Sequence, residues 1–269
     1  MSTVFIVLVY NKGIYESQSL KSLLIQKEHI PQESEIVIFN NGLNTFNTED
    51  KIKFSQALLD FSSVSFIHGG KNESLAKIYN RVICDYDAKR YVFLDDDTVL
   101  NKDFLHNTQV NVDLIMPKIK SKGIAIYPFR RNYLVNTFKF ITISSGLCIS
   151  SDLLSKVKLK YGNCFDERFK LYGVDTSFCL RLCTLNQFSF SIKGTLEHSL
   201  SKFEKETKVV KNFRFRERTI ADSLILRNYI SFYSLVNTLK FLIKLGAHRR
   251  FYEIKLWFTI YKKNKHPDL

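Results

Sequence analysis

Residues 91–98 read Tyr91-Val92-Phe93-Leu94-Asp95-Asp96-Asp97-Thr98, an apolar run that passes directly into three consecutive aspartates. Side chains alternate between the two faces of an extended chain, so Asp95 and Asp97 point the same way and Asp96 points elsewhere. Neighbouring carboxylates repel one another and are costly unless water or a cation neutralises them. Their oxygens suit Mg²⁺ or Mn²⁺; the alternative interpretation is a solvated acidic turn.

Strand-like and helix-like stretches alternate on the N-terminal side of these aspartates. Short apolar runs predict strands, and apolar residues at helical spacing predict helices. The predicted strands are 4–10, 35–39, 64–68 and 91–94, and the predicted helices are 15–26, 50–61 and 74–84. Repeated units of this kind predict an α/β fold with a doubly wound, mostly parallel sheet. Ligands bind at the carboxyl ends of such strands, where Asn11, Asn40 and the aspartates fall, and this favours the metal interpretation.

A second segment with chemical potential precedes a helix predicted over 176–185. Gly173-Val174-Asp175 places a glycine that breaks the chain two residues before a carboxylate. Asp175 at a helix entrance suits an N-cap, and close to a metal site it suits a general base. The residues of this segment leave the two interpretations equally open.

Six segments follow one another in an informative order. They are Val7-Leu8-Val9-Tyr10-Asn11, Ile36-Val37-Ile38-Phe39-Asn40-Asn41-Gly42, the stretch 72–81 with asparagine near both ends, Asp95-Asp96-Asp97, Ser144-Ser145-Gly146 and Gly173-Val174-Asp175. With them, the chain resembles the family 2 glycosyltransferases over residues 3–200, and most closely their rhamnosyltransferase-like branch. The resemblance implies a GT-A fold, in which a Rossmann-like, mostly parallel sheet is flanked by helices. It also implies an inverting transfer of a hexosyl or rhamnosyl group from a nucleoside-diphosphate sugar to a hydroxyl of a saccharide acceptor.

The resemblance assigns a role to each candidate site residue. Asp175 is the implied catalytic base, and Asp95, Asp97 and His198 are the implied ligands of Mn²⁺ or Mg²⁺. The acceptor side is implied at Ser145 and Gly146. The implied contacts with the donor nucleotide are Tyr10, Asn11, Asn40, Asn72, Asn80 and Asp96.

Three of these positions carry a qualification. Asn40 stands where the family usually has Asp, so its contact with base or ribose is neutral. Val174 stands in place of the Glu of the family's Glu-Asp pair, which leaves Asp175 as that motif's base. His198, in the segment 196–201, matches a histidine that faces metal or diphosphate in the family; the alternative for a lone histidine is a structural role.

The positive charge is concentrated at one end of the chain. The 269 residues carry a formal charge of +14, and residues 201–269, with 16 Lys and Arg against 6 Asp and Glu, carry +10 of it. A nucleic-acid-binding domain would more often spread such charge over its main binding face, so the asymmetry indicates an attached interaction segment. We therefore divide the chain into a GT-A catalytic domain, 1–200, and a basic amphipathic helical extension, 201–269.

Two stretches of the extension combine aromatic residues with Lys and Arg at helical spacing. They are 227–246, with Tyr229, Phe232, Tyr233, Val236, Leu239 and Ile243, and 251–261, with Phe251, Ile254, Trp257, Phe258 and Tyr261. Basic amphipathic helices of this type bind anionic membrane surfaces. The alternative is that these faces pack on the catalytic domain or on a second subunit, which would make a homo-oligomer.

Composition also limits the location and class of the protein. No apolar segment approaches the ~20 residues that span a bilayer, and the run 4–10 is too short for a signal sequence. We expect a cytoplasmic enzyme, peripheral on the inner face of the cell membrane, that builds surface polysaccharide (O-antigen or capsule) on a lipid-linked acceptor. The alternatives are a transferase of the same fold acting on a soluble or protein acceptor, and a non-catalytic basic module that binds membrane or nucleic acid. We expect no nucleic-acid partner, because the carboxylates would face phosphate without a cation of their own.

Overall fold

The computed structural model describes residues 2–70, 72–130, 138–198 and 207–269. In these residues the strands are β1 (Thr3–Val9), β2 (Ser34–Asn40), β3 (Ser62–His68), β4 (Arg90–Asp95), β5 (Thr98–Val99), β6 (Leu114–Ser121), β7 (Ile124–Tyr127), β8 (Phe129–Arg130), β9 (Phe140–Ile141), β10 (Cys148–Ser150) and β11 (Phe190–His198). The helices are α1 (Gln18–Ile25), α2 (Thr48–Leu58), α3 (Leu75–Asp85), α4 (Lys102–Asn107), α5 (Ser151–Tyr161), α6 (Val174–Leu182), α7 (Lys208–Asn228), α8 (Phe232–Ala247) and α9 (Phe251–Lys263). Residues 199–201 of the predicted histidine segment and the first residues of the predicted extension, 201–206, lie outside this description.

The central sheet has the strand order β3-β2-β1-β4-β10-β6-β11-β5, with β7 beside β6. The pairs β1–β2, β2–β3, β1–β4 and β6–β11 are parallel, whereas β10 and the short β5 run antiparallel to their neighbours. The predicted mostly parallel α/β architecture is therefore confirmed. Because β1 and β4 are paired in register, with Leu8 opposite Asp95, the ends of both strands meet at one edge of the sheet.

Strand β1 shows why the sequence folds this way. All seven of its residues are buried, which suits an apolar run covered on both faces by helices. Val4, Ile6 and Leu8 belong to one apolar cluster, and the alternate side chains of β1 belong to a second cluster on the other face of the sheet. Helix α7 joins the first cluster through Ile220 and Leu224, so part of the C-terminal region shares a core with the sheet.

Three helix boundaries that differ from the sequence prediction bear on the site and on the C-terminal region. The stretch predicted as 15–26 is a short 3₁₀ turn, Ile14–Glu16, followed by α1, whose start is capped by Ser17. Helix α6 begins at Val174 with Gly173 as its N-cap, so the N-cap interpretation of Asp175 is wrong: this residue lies inside the first turn. The stretch 227–246 is broken, because α7 ends at Asn228 and the hydroxyl of Ser231 accepts the first hydrogen bond of α8.

The C-terminal helices bury only some of their aromatic residues. Tyr229, Tyr233 and Trp257 are buried, whereas Phe232 and Phe258 are exposed. In the part of the chain that the structure describes, we find no helix with the length and apolar character needed to cross a membrane.

Candidate active site

Two carboxylates and one imidazole meet where β4 and β11 end. Asp95 closes β4, Asp97 follows two residues later, and His198 closes β11, which lies antiparallel to β5. His198 Nδ1 is 3.2 Å from Asp97 Oδ1, and His198 Nε2 is 3.8 Å from Asp95 Oδ2. Thr98 Oγ1 lies 2.9 Å from the same Nδ1 and helps to orient the ring. One potential ligand atom from each of the three residues lies within 4.8 Å of the others.

The electrostatics of this cluster suit a divalent cation. Burial, followed by repulsion from Asp97, Asp175 and Asp96, raises the pKa of Asp95 well above its usual value. Burial also raises the pKa of Asp97, against the lowering effect of His198. A bound cation would offset the burial and mutual repulsion of the two carboxylates. A set of two carboxylates and an imidazole suits Mn²⁺. The residues present therefore fit the metal that the sequence predicts.

Asp96 points away from the cluster, toward the end of β1. Its Oδ1 accepts a hydrogen bond from Lys12 Nζ at 2.6 Å, and its Oδ2 accepts one from the backbone N–H of Tyr10 at 3.2 Å. Tyr10 is half exposed at the same edge. The alternation along 95–97 thus divides the three aspartates between two neighbouring groups of side chains.

Asp175 lies close to the cluster and carries a perturbed carboxyl group. Burial raises the pKa of Asp175 to about 6, and hydrogen bonds donated by the hydroxyl and backbone N–H of Ser144 lower it in part. The same Ser144 hydroxyl accepts a hydrogen bond from the buried Tyr79 hydroxyl at 3.1 Å. A carboxyl that titrates near neutral pH, next to a metal site, is suited to accept a proton.

The predicted acceptor-side residues contact the backbone and neighbours of the Asp95, Asp97 and His198 cluster. Ser145 Oγ accepts the backbone N–H of Asp95 at 3.1 Å and lies 2.5 Å from Thr98 Oγ1. Gly146 has φ +84°, and a Cβ there would lie 2.5 Å from Pro117 Cγ and 2.6 Å from Leu196 Cδ1. Only a glycine permits this approach of the turn to the sheet, and contact of either residue with an acceptor stays a prediction.

Asn11 and Asn40 stabilise the turn that follows β2. The side chain of Asn40 is buried: its Nδ2 donates to Asn44 O at 2.7 Å and its Oδ1 accepts from Gly42 N at 3.0 Å. Asn11 has φ +52°, and its Oδ1 accepts from Leu43 N at 3.4 Å. Both asparagines therefore shape the loop beside β1, and their direct contact with a nucleotide stays a prediction.

Asn72 and Asn80 occupy different positions along the α3 segment. Asn72 is exposed ahead of α3, where Asn41 Nδ2 lies 3.4 Å from its Oδ1. The amide of Asn80 donates to Phe165 O and Glu167 Oε1 at 2.9 Å and accepts from Phe165 N. Asn80 thus holds the loop that leads to Asp175, and its proposed contact with the donor stays a prediction.

Sequence reasoning missed Lys12, Tyr79 and Ser144 as site residues. Tyr79 and Ser144 stand inside the segments 72–81 and 144–146 that carry the family resemblance, and Lys12 directly follows the segment 7–11. Lys12 would have been found by asking which cation lies at the same sheet edge as Asp96. Tyr79 and Ser144 carry no such signal, because their contact with each other spans 65 residues of sequence.

Comparison with known proteins shows similarity at the level of structure. No known family model matches the sequence, and no curated protein matches it significantly. The structure of S. aureus TarS 1–349 in complex with UDP has a TM-score of 0.56 and 21% identity, covering 86% of this chain and 67% of that one. The mannosyltransferase PcManGT from Pyrobaculum calidifontis, in complex with GDP-Man and Mn²⁺, has a TM-score of 0.56 and 11% identity, covering 97% and 81%.

A longer TarS structure shows that the similarity covers only part of that protein. It has a TM-score of 0.53 and 18% identity over 86% of this chain, and the chain spans only 40% of its length. At such identities the similarity shows the fold, which is a GT-A-like glycosyltransferase fold. Activity and substrates need a separate argument from the site.

Proposed function

We propose that the chain is a glycosyltransferase that moves a sugar from a nucleoside-diphosphate sugar to a hydroxyl of a saccharide acceptor. The observation that carries this proposal is the cluster of Asp95, Asp97 and His198 at the carboxyl edge of the sheet, with Asp175 near enough to raise the pKa of Asp95. UDP in one similar structure and GDP-Man with Mn²⁺ in another support a nucleotide sugar as donor.

In the proposed reaction, one group of residues holds the metal beside the donor diphosphate and Asp175 acts on the acceptor. Asp95, Asp97 and His198 hold Mn²⁺ or Mg²⁺, which when bound supplies positive charge to the donor diphosphate. At the other end, Asp175 takes the proton of the acceptor hydroxyl as the oxygen attacks the anomeric carbon. The bond between sugar and diphosphate breaks, and the nucleoside diphosphate leaves with its electron pair. A single displacement of this kind inverts the anomeric centre.

The donor nucleotide lies, in this proposal, across the ends of β1 and β2. Tyr10 is half exposed there and offers an aromatic face to a base. Lys12, whose side chain is 38% exposed, can exchange Asp96 for a diphosphate oxygen without leaving the site. Asn40 and Asn80 would act mainly through the loops that they hold.

The acceptor and pathway are finer parts of the proposal. We assign the chain to the rhamnosyltransferase-like branch of family 2, with a hexosyl or rhamnosyl donor and a lipid-linked acceptor in surface polysaccharide synthesis. In this scheme residues 1–200 form the catalytic domain and 201–269 the extension that brings it to the inner face of the cell membrane. The charge asymmetry of the sequence supports this arrangement.

Helix α8 supports the membrane part of the proposal. Its side chains Phe232, Leu235, Leu239 and Ile243 are each more than half exposed and share one face. From 223 to 252 the chain has no Asp or Glu but has Arg227, Lys240, Lys244, Arg249 and Arg250. An exposed apolar face on a stretch of chain with basic and no acidic residues suits an anionic lipid surface.

Nucleotide binding tests the proposed function. Thermal unfolding should be followed with UDP, dTDP and GDP, each with and without Mn²⁺. At 100 times its dissociation constant a ligand adds about 2.7 kcal/mol of stability, so the expected rise in melting temperature is about 5–10 °C with Mn²⁺ present. If none of the three nucleotides raises the melting temperature in a way that requires Mn²⁺, the proposal is refuted.

A further inference from the structure

A cavity of about 260 Å³ lies beside the start of α6 and is bordered by α7 and α8. Gly173 and Thr176, on either side of Asp175 in the sequence, form one wall. Gly173 has φ +87°, and a Cβ there would lie 2.5 Å from Phe169 and 3.1 Å from Ala221. The glycine therefore lets α6 begin close to α7, and the cavity borders the residues on either side of the candidate base Asp175, whose own side chain is not part of the lining.

The polar wall of the cavity contains a carboxylate that the proposed reaction does not use. Asp222 Oδ2 accepts hydrogen bonds from Trp257 Nε1 at 2.8 Å and from Thr238 Oγ1 at 2.9 Å. Its other oxygen accepts no hydrogen bond from any residue that the structure describes. Burial raises the pKa of Asp222, against the lowering effect of those two donors. Two fixed donors on one oxygen thus orient the carboxylate and leave the other oxygen for a ligand.

Aromatic side chains and an arginine complete the lining. Tyr172, Tyr233 and Phe241 contribute rings, the last two from one stripe of α8. The guanidinium of Arg218 lies over the ring of Tyr172, 5.2 Å from its centroid. Arg218 pairs with no carboxylate in the described part of the chain, so its remaining donors are available to a ligand.

This combination matches the chemistry of a sugar ring. A pyranose presents apolar C–H groups on its faces, which contact aromatic rings, and hydroxyls at its edge, which bond to carboxylate and guanidinium. The cavity volume lies just below the ~300 Å³ of small-ligand pockets, which suits one sugar ring.

We propose that the cavity between α6, α7 and α8 is the acceptor subsite, and that Asp222 and Arg218 bind hydroxyls of one pyranose ring of the acceptor there. Its role as acceptor site rests on the proposed function, because only a transferase has an acceptor. A ring held at Gly173 and Thr176 lies against the turn that carries Asp175. Binding of the ring itself does not depend on transfer and can be measured alone.

The chain contains a natural reporter for this cavity. Trp257 is its only tryptophan, and its indole N–H donates directly to Asp222. The indole resonance in ¹⁵N-labelled full-length protein should therefore be followed by NMR during titration with the methyl glycosides of glucose, mannose, rhamnose and N-acetylglucosamine. Concentrations up to roughly 100 mM are needed, because a ligand with few atoms binds weakly. We expect at least one glycoside to shift the resonance with saturation.

Two arginine variants separate binding in the cavity from a general effect. Arg218→Ala should weaken the binding of that glycoside about tenfold or more, because a charged hydrogen bond is lost. Arg227→Ala is the matched control: Arg227 is on the same helix and lies over Tyr261 at 5.3 Å, but it does not line the cavity. The affinity of the Arg227→Ala variant for the glycoside should stay within about twofold of that of the wild type.

The outcomes distinguish this inference from the proposed function. If no glycoside shifts the Trp257 resonance in protein that still binds a nucleotide with Mn²⁺, the subsite is refuted while the transferase stands. Equal loss of affinity in the two arginine variants also refutes it. A saturable shift sensitive only to Arg218, in protein that binds no nucleotide, keeps the sugar site but refutes glycosyl transfer.

Discussion

Asp175 is the residue whose protonation decides the proposed reaction. Its pKa of about 6 comes from burial, and a general base works only when deprotonated. With Mn²⁺ saturating, we expect kcat to be constant above neutral pH and to fall about tenfold per pH unit below about pH 6. A pH profile of turnover checks this, and a flat profile from pH 5 to 8 would remove Asp175 from the chemistry.

Replacement of the same carboxyl should separate activity from stability. Asp175→Asn should lower turnover by about 10²–10⁴ while donor binding is kept. Its melting temperature should not fall, because a raised pKa means that burial of the ionised carboxyl destabilises the native protein at neutral pH. Transfer at a near-normal rate would leave Asp175 with only a structural role in the first turn of α6.

Asp97 offers a matching test at the metal end. Asp97→Asn removes one charged ligand, so the rise in melting temperature caused by nucleotide with Mn²⁺ should largely disappear. Asp103→Asn, an exposed carboxylate of α4, is the control and should keep the full rise. If both variants behave like the wild type, Asp97 does not hold the ion.

Residue types at strand ends were sufficient to predict part of this site. Alternation at the end of β4 predicted that Asp95 and Asp97 act together, whereas His198 was named only through the family resemblance; the structure brings a potential ligand atom of each residue together. The roles of Asn40 and Asn80 in holding loops could not be predicted, since their partners are loop backbone groups and, for Asn80, also the carboxylate of Glu167, which lies 87 residues away in sequence. Side-chain amides bind backbone and nucleotide equally well, so composition cannot choose between them.

At the scale of the element, the start of α6 depends on a single glycine. In Gly173→Ala, the added Cβ is strained at positive φ and overlaps Phe169. We therefore expect the free energy of unfolding to fall by about 2–4 kcal/mol. Gly162→Ala is the control: Gly162 has φ +83° at the end of α5 but open space around it, so about 1 kcal/mol should be lost. Chemical denaturation measures both, and equal losses would show that packing at Gly173 is unimportant.

Helix α8 is the element that sequence analysis described least well. Its apolar residues occur on two sides, so periodicity predicted a helix but could not show that Tyr233 packs inward while Leu235 and Leu239 face outward. That choice depends on α7 and α9, whose positions follow from long-range packing. The same limit explains the unpredicted break between α7 and α8.

The outward face of α8 leads to a membrane prediction. The double variant Leu235→Ser/Leu239→Ser should bind vesicles of anionic lipid at least about tenfold more weakly, and this loss should persist at high salt. Leu59→Ser/Leu159→Ser, at positions 77% and 91% exposed elsewhere on the molecule, should not change binding. Co-sedimentation measures both; equal binding by the two variants would mean that α8 faces something other than lipid.

At the scale of the whole molecule, the parallel strands β1 to β4 were predictable, whereas the short antiparallel strands were not. Each parallel strand up to β4 is followed by a helix or a turn with its own local signal. The antiparallel strands β5 and β10 have two or three residues each, too few for periodicity to detect. The core contribution of α7 was also hidden, since a basic composition concealed its buried face.

Release of nucleoside diphosphate from a sugar donor tests the central claim most directly. UDP-, dTDP- and GDP-sugars should each be incubated with the full chain and Mn²⁺, and the products separated by chromatography. We expect release from at least one donor, loss of that release on removal of the metal, and loss of it in Asp97→Asn. Folded protein that releases no nucleotide from any donor, or an Asp97→Asn variant that releases it at the wild-type rate, would contradict the account.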